Sequence, residues 1–129
     1  MSAFSDALSV TTTGLEAQAA RLRLLSENIA NADTPGYRRK TVSFEMDQTG
    51  PEVTGVKMGD VRLDRRELTL IHDPAHPLAD AKGDYRGSNV DLIIEIADAR
   101  EAQRSYEANL KVFQQTREMS SGLLDLLRR

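Results

Sequence analysis

The sequence predicts a mainly α protein: long N- and C-terminal helices paired as an antiparallel coiled coil, with a small β/loop segment between them. Three observations predict it. Apolar residues near both ends recur in alternating steps of three and four, the rhythm of a helical seam. The central stretch instead alternates apolar and polar residues in short runs punctuated by proline and glycine. The 129-residue chain is 40 % hydrophobic, yet it has three Phe, three Tyr and no Trp, thin material for a large globular core. The chain therefore divides into residues 1–36 (first helix and turn), 37–88 (short strands and a Pro-rich loop) and 89–129 (last helix), with the two helical pieces sharing one core domain.

The first helix runs from about Phe4 to Ala32. Leu8, Thr11, Leu15, Gln18, Leu22, Leu25, Ile29 and Ala32 fall on one line, and most are apolar. The stretch has no proline and one interior glycine, Gly14, which costs about 1 kcal/mol relative to alanine. The helix should stop near Asp33, because Pro35 disfavours helical geometry at Thr34 and Gly36 permits a turn.

In the middle, Val42, Phe44 and Met46 alternate with polar neighbours and predict a strand. Val56 with Met58 predicts another, and Val61 with Leu63 resumes on the opposite phase, with Gly59 placed to host a bulge. Leu68 to Ile71 is a third short candidate. Asp73 to Gly87, with Pro74, Pro77, Gly83 and Gly87, reads as extended loop.

The last helix runs from about Val90 to Leu127. Ser88 followed by Asp91 resembles a capping box, with Asn89 as a rival cap. Its seam is Leu92, Ile96, Ala99, Gln103, Tyr106, Leu110, Phe113, Arg117, Ser120, Leu124 and Leu127. Arg117 and Ser120 interrupt it, and a drift to Thr116 and Leu123 restores it, as a straight helix drifts against a strict heptad. Glu107 and Lys111 are spaced as a favourable i,i+4 pair. Such a helix is about 55 Å long, whereas a globule of this mass is only about 30 Å across. It must project, or lie along a partner. Two helices alone cannot enclose a dry core, so the seams point to an assembly protein that buries its apolar edges against other chains.

Composition narrows the function classes. Seventeen basic and twenty acidic residues give a net charge of −3, which argues against a dedicated nucleic-acid binder. The absence of cysteine removes disulfides, thiolate metal sites and cysteine nucleophiles. No secretory leader and no run of about 20 apolar residues is evident.

Candidate chemistry is sparse. His72 and His76 are the only histidines, and their i,i+4 spacing would suit zinc on a helix. Pro74 and Pro77 rule that helix out, so they read as loop histidines. No nucleophile elbow, phosphate loop or dinucleotide fingerprint occurs. Arg38, Arg39 and Lys40, with Arg65 and Arg66, form a basic cluster diluted by acidic neighbours, which reads as a surface or interface cluster. No enzyme activity, cofactor, metal or small-molecule substrate is expected.

One stretch is specific. Asn28-Ile29-Ala30-Asn31-Ala32-Asp33-Thr34-Pro35-Gly36-Tyr37 resembles the signature that bacterial flagellar axial proteins carry after their first helix. Tyr37-Arg38-Arg39-Lys40 leading into Val42 and Phe44-Glu45 resembles the segment that follows the turn in C-type proximal-rod subunits. The Pro-rich run from His72 to Asp80, and Asn89-Val90-Asp91 with Arg104-Ser105-Tyr106-Glu107-Ala108-Asn109, resemble their loop and last helix. The resemblance covers essentially the whole chain. The compact turn is a form shared with B-type subunits, so another axial subunit (B-type proximal rod or distal rod) is the alternative reading.

The resemblance implies a structural subunit of the proximal rod in the periplasm. Such subunits pack helically with copies of themselves and other rod subunits into the hollow drive shaft around the export channel. Further candidate partners are the rod-base adaptor, the MS ring and, during secretion, the flagellar type III export apparatus, which needs no cleaved signal peptide. The assembly seam would be Leu8, Leu15, Leu22, Leu25 and Ile29 with Leu92, Ile96, Ala99, Tyr106, Leu110, Phe113, Leu124 and Leu127.

Overall fold

A computed structural model describes residues 2–48 and 55–128. Helix α1 spans Ser2–Ala30 and helix α2 spans Leu92–Leu127. Between them, among the described residues, lie six short strands: β1 (Lys40–Thr41), β2 (Phe44–Asp47), β3 (Gly55–Met58), β4 (Arg62–Leu63), β5 (Leu70–His72) and β6 (Asp84–Arg86). They form three separate antiparallel pairs, β1 with β4, β2 with β3 and β5 with β6.

The two helices pack side by side. Asn28 reaches Glu95, Arg21 reaches Glu101, and Gly14 faces Asn109. One number falls as the other rises, so the helices run antiparallel. Ala17 and Ala102 are buried, and a Cβ at Gly14 would sit 3.3 Å from the Asn109 side chain.

In the single chain the residues of the expected assembly seam are covered to different degrees. Leu25 is buried, while Leu8, Leu15, Leu22, Ile29, Ala99, Tyr106, Leu110, Phe113 and Leu124 are half-buried. Leu92, Ile96 and Leu127 are exposed. At the start of α2 the inward positions are Glu95 and Ala102.

The apolar core is small. Among the described residues the buried hydrophobic side chains are Ala17, Leu25 and Ala102. Val10, Val112 and Met119 stand exposed along the helices, as do Leu92, Ile93, Ile94 and Ile96 at one end of α2 and Leu123, Leu126 and Leu127 at the other.

The β2–β3 hairpin lies against α1. Thr13 Oγ1 donates to the Val10 carbonyl and accepts from the Val56 N–H at 3.0 Å, so one hydroxyl ties hairpin to helix. Gly55 is required there, since a Cβ would fall 2.5 Å from Thr13 Oγ1. The strand expected around Val42 begins at Phe44, and the one expected over Leu68–Ile71 is Leu70–His72. Part of the expected strand segment between β2 and β3 lies outside the described residues. At Gly59, the expected bulge position, the N–H donates to the Ser43 carbonyl.

The Pro-rich segment is not extended throughout. Its end pairs as β6 with β5, and it is folded by tight turns. Asp80 Oδ1 accepts from the Lys82 and Asp84 N–H groups at 2.9 and 3.0 Å. The His76 ring stacks on Tyr85 with centroids 3.8 Å apart, and His72 Nδ1 lies 2.7 Å from Asp84 Oδ1. The two histidines thus stiffen a hairpin. Among the described residues no group of three or more His, Cys, Asp or Glu side chains is placed to hold a metal ion, and no helix is long and apolar enough to cross a membrane.

The expected capping box does not form. Asp91 is the N-cap and accepts from the Ile93 N–H at 3.1 Å. Ser88 and Asn89 are buried and used elsewhere. Glu107 accepts from Gln103 at 3.5 Å rather than pairing with Lys111.

Candidate functional site

The end of α1, the turn after it, and the segment entering α2 converge on one buried polar junction. α1 stops at Ala30 and the chain turns over Asn31–Gly36. Asn31 Nδ2 donates to the Glu27 carbonyl at 2.9 Å, and Thr34 Oγ1 donates to Asn31 Oδ1, so this side chain closes the helix end. Gly36 has φ +75°, a conformation glycine adopts without strain. Its N–H donates to the carbonyls of Arg86 and Gly87 at 3.2 and 3.1 Å, which tethers the turn to the strand before α2.

Asn28 is fully buried, and its carboxamide is saturated. Oδ1 accepts from Tyr37 OH (2.8 Å) and the Lys40 N–H (2.9 Å). Nδ2 donates to the Lys40 carbonyl (2.9 Å) and Glu95 Oε2 (3.4 Å). An asparagine is suited to this position because it both donates and accepts, and so binds both backbone groups of Lys40 at once. Aspartate would put its acceptors against a carbonyl and a carboxylate.

Glu95 is 0 % exposed. It is matched by Arg39, whose Nε donates to Glu95 Oε1. The same guanidinium donates to Asp98 at 3.3 Å and lies 3.9 Å from Asp64. Asn89 joins the network from the α2 side. Its Oδ1 accepts from the Arg39 N–H at 2.6 Å, and Nδ2 donates to the carbonyls of Asp64 and Arg66. Arg38 donates to those two carbonyls at 3.1 and 3.0 Å. The Ser88 hydroxyl donates to the Ala32 carbonyl. Lys40 pairs with Glu27 at 2.5 Å, which holds its ammonium pKa above the ordinary value, chiefly through that hydrogen bond.

The basic run therefore faces inward. Arg38, Arg39 and Lys40 are structural partners of α1, α2 and the 64–66 segment, whereas Arg65 stays exposed. Asp64 is engaged by Arg66 at 2.8 Å, and this hydrogen bond keeps its carboxyl below the usual carboxylate range. Its support is present at neutral pH and is lost as pH falls through that lowered value. The sequence reading missed Glu95, Arg39 and Asn89 as one network. The available signal was Glu95 itself, a charged residue in line with Ala99, Ala102 and Tyr106 on the inner face.

Of the signature residues, Asn28, Asn31, Thr34, Gly36 and Tyr37 make the bonds just described. Ile29 is half-buried, and Ala30, Asp33 and Pro35 are exposed. The arrangement is a clasp that sets the angle between helix ends and turn, and it holds no nucleophile beside a base.

Residues 8–38, which contain the α1 end and its turn, match the family described as "Flagella basal body rod protein". Residues 83–126 match "Flagellar basal body rod FlgEFG protein C-terminal". The "Flagellar basal-body rod protein FlgC" of Agrobacterium fabrum is 46 % identical over 137 residues, covering 99 % of this chain and 98 % of that one. The chain belongs to the FlgC family of flagellar basal-body rod proteins. A FlgC protein of Escherichia coli is 36 % identical over 91 % of this chain and 92 % of its own length. That of Bacillus subtilis is 32 % identical over 98 % and 99 %. The two matched regions hold both sides of the clasp, with the Asn28–Tyr37 stretch in one and Asn89 and Glu95 in the other.

The clasp has a pH signature. Burial, and next the negative charge of Glu27, raise the Tyr37 phenol pKa above its ordinary value. The fold therefore holds this proton more tightly than the unfolded chain does. Its contribution is complete below about pH 10, the ordinary phenol value, and is lost as pH rises through the raised one. Tyr37→Phe is expected to cost about 1 kcal/mol at neutral pH through the lost bond to Asn28, and to flatten the alkaline fall in Tm. Thermal melts of both proteins from pH 7 to 11 check this, and parallel curves would contradict it.

Proposed function

We propose that this chain is a structural subunit of the flagellar proximal rod, packing helically with copies of itself and other axial proteins into the hollow shaft that surrounds the export channel and carries torque. The observation that carries the reading is the imbalance of the fold: among the described residues, three buried apolar side chains, against apolar side chains left bare along both helices and at both ends of α2. Family membership supports the rod as the structure in which those faces are covered. In the shaft, α1 and α2 pair as an antiparallel coiled coil, with residues 1–36 and 89–129 as one core and 37–88 as an appendage that bridges neighbours. The clasp supports this role by making the helix pair a rigid unit through which load passes.

On this reading the chain works in the periplasm and reaches it through the flagellar type III apparatus without cleavage of a signal peptide. The rod-base adaptor and the MS ring are its partners at the membrane side. No reaction is catalysed. Deleting the chain from its bacterium should leave basal bodies without a complete rod, and cells that do not swim. Intact rods in purified basal bodies of the deletion strain would overturn the proposal.

A further inference from the structure

The rod reading makes no use of the two histidines, and both belong to the β5–β6 hairpin. Their ring nitrogens are engaged in opposite senses. His72 Nδ1 lies 2.7 Å from Asp84 Oδ1, at the register pair that ends the ladder. His76 Nδ1 accepts from the Leu78 N–H at 3.1 Å, while the face of the same ring lies on Tyr85, 10° from parallel. A neutral imidazole fills both roles, as a donor to the carboxylate in one ring and as an acceptor in the other. Imidazolium has two N–H donors and no acceptor. Charging His72 therefore turns its hydrogen bond into an ion pair, whereas charging His76 sets one N–H against another. Turning the His76 ring over brings no relief, because its other nitrogen carries a proton as well.

β5 and β6 pack on each other. The titratable and charged groups around the two rings are Asp84, Tyr85 and Arg86 on β6, with Asp73, Asp80 and Lys82 in the turns between the strands. Asp73 Oδ1 accepts from the Ala75 N–H at 3.2 Å, and Asp80 Oδ1 accepts from the Lys82 and Asp84 N–H groups. These two carboxylates hold the turns on either side of His76–Leu78. Tyr85 keeps the His76 ring in place in both forms, since a cation is attracted to an aromatic face.

We propose that the turn from His76 to Leu78 is an acid-responsive element. Charging His76 releases the Leu78 N–H and frees the turn that displays Leu78, whose surface is 63 % exposed. Charging His72 tightens the root of the hairpin against Asp84, so the response stays at the tip. Histidine is the side chain whose ordinary change of charge falls between about pH 5 and 8, and the chain has no other histidine. The element belongs to the single chain and does not depend on the rod reading.

Nuclear magnetic resonance of the isotope-labelled full-length chain, from about pH 8 to about pH 5, tests it. The Leu78 amide is expected to shift with the same midpoint as the His76 ring protons. Its protection from exchange should fall about five- to tenfold, the population change that one net hydrogen bond supports. The Asp73 N–H, bonded to the Gly83 carbonyl at 2.9 Å, should keep its protection. In His76→Asn the side-chain oxygen replaces Nδ1 with an acceptor that takes up no proton in this range, and the Leu78 transition should vanish. A Leu78 amide indifferent to pH, a midpoint different from that of the His76 ring, or the same transition surviving in His76→Asn would overturn the proposal. With Asp84→Asn, the acid loss of protection should spread to the Asp73 N–H. An Asp73 amide still protected in that variant would overturn the role given to His72.

Discussion

Arg39→Met is expected to destabilise the fold by about 3–5 kcal/mol, the usual cost of removing one member of a buried ion pair. Glu95 has no exposed surface, and its other side-chain bond is a long one from Asn28 at 3.4 Å. Without the guanidinium, the carboxylate must be buried uncompensated, take up a proton, or drag the first turn of α2 outward. The backbone N–H of Arg39 still reaches Asn89, so the substitution isolates the side chain. Adding Glu95→Leu should recover most of the loss, since an apolar pair often replaces a buried ion pair at little cost. Urea unfolding of the two variants checks this. A single variant with an unchanged midpoint, or a double variant no better than the single, would show that the pair is not what holds the helix ends.

Leu22→Asp and Leu110→Asp should abolish assembly while leaving secretion intact. Both leucines are half-buried in the single chain, so a carboxylate there finds water and costs the monomer only modestly. If the same faces are covered in the shaft, as proposed, an unpaired charge there must be desolvated at several kcal/mol. The expected phenotype is non-swimming cells that export the variant yet lack it in purified basal bodies. Normal swimming with both variants would show that these faces are not shared between subunits.

The helices and the turn were legible in the sequence because local chemistry decides them. Pro35 and Gly36 end α1 wherever the rest of the chain lies, and the three-four spacing of leucines survives to Leu127. The strands were legible in position more than in number: β2 to β5 lie within two residues of where they were expected, whereas β1 and β6 were not expected. β6 was hidden because Asp84-Tyr85-Arg86 lacks an apolar alternation, and it exists only because β5 supplies a ladder. Ser88 and Asp91 had the spacing of a capping box, but tertiary partners won: Ala32 takes the serine hydroxyl and the Arg39 backbone takes Asn89. Glu95 was missed for a related reason: periodicity marks where bulky apolar residues recur, and a buried charge gives no such signal. The clasp was half legible. The signature drew attention to Asn28 and Tyr37, but nothing local joined them to a glutamate 67 positions away.

That separation has a kinetic consequence. The clasp ties residue 28 to 40, 39 to 89 and 39 to 95, so no contiguous part of the chain contains it until residue 95 is present. Contacts so distant in sequence are slow to form because the intervening loop must first be closed. If such a polypeptide is threaded N-terminus first through a narrow passage, its leading helix stays without a mate for most of the transit. Locking is deferred to the last quarter of the journey, which keeps the molecule pliable in the duct and commits it only on arrival.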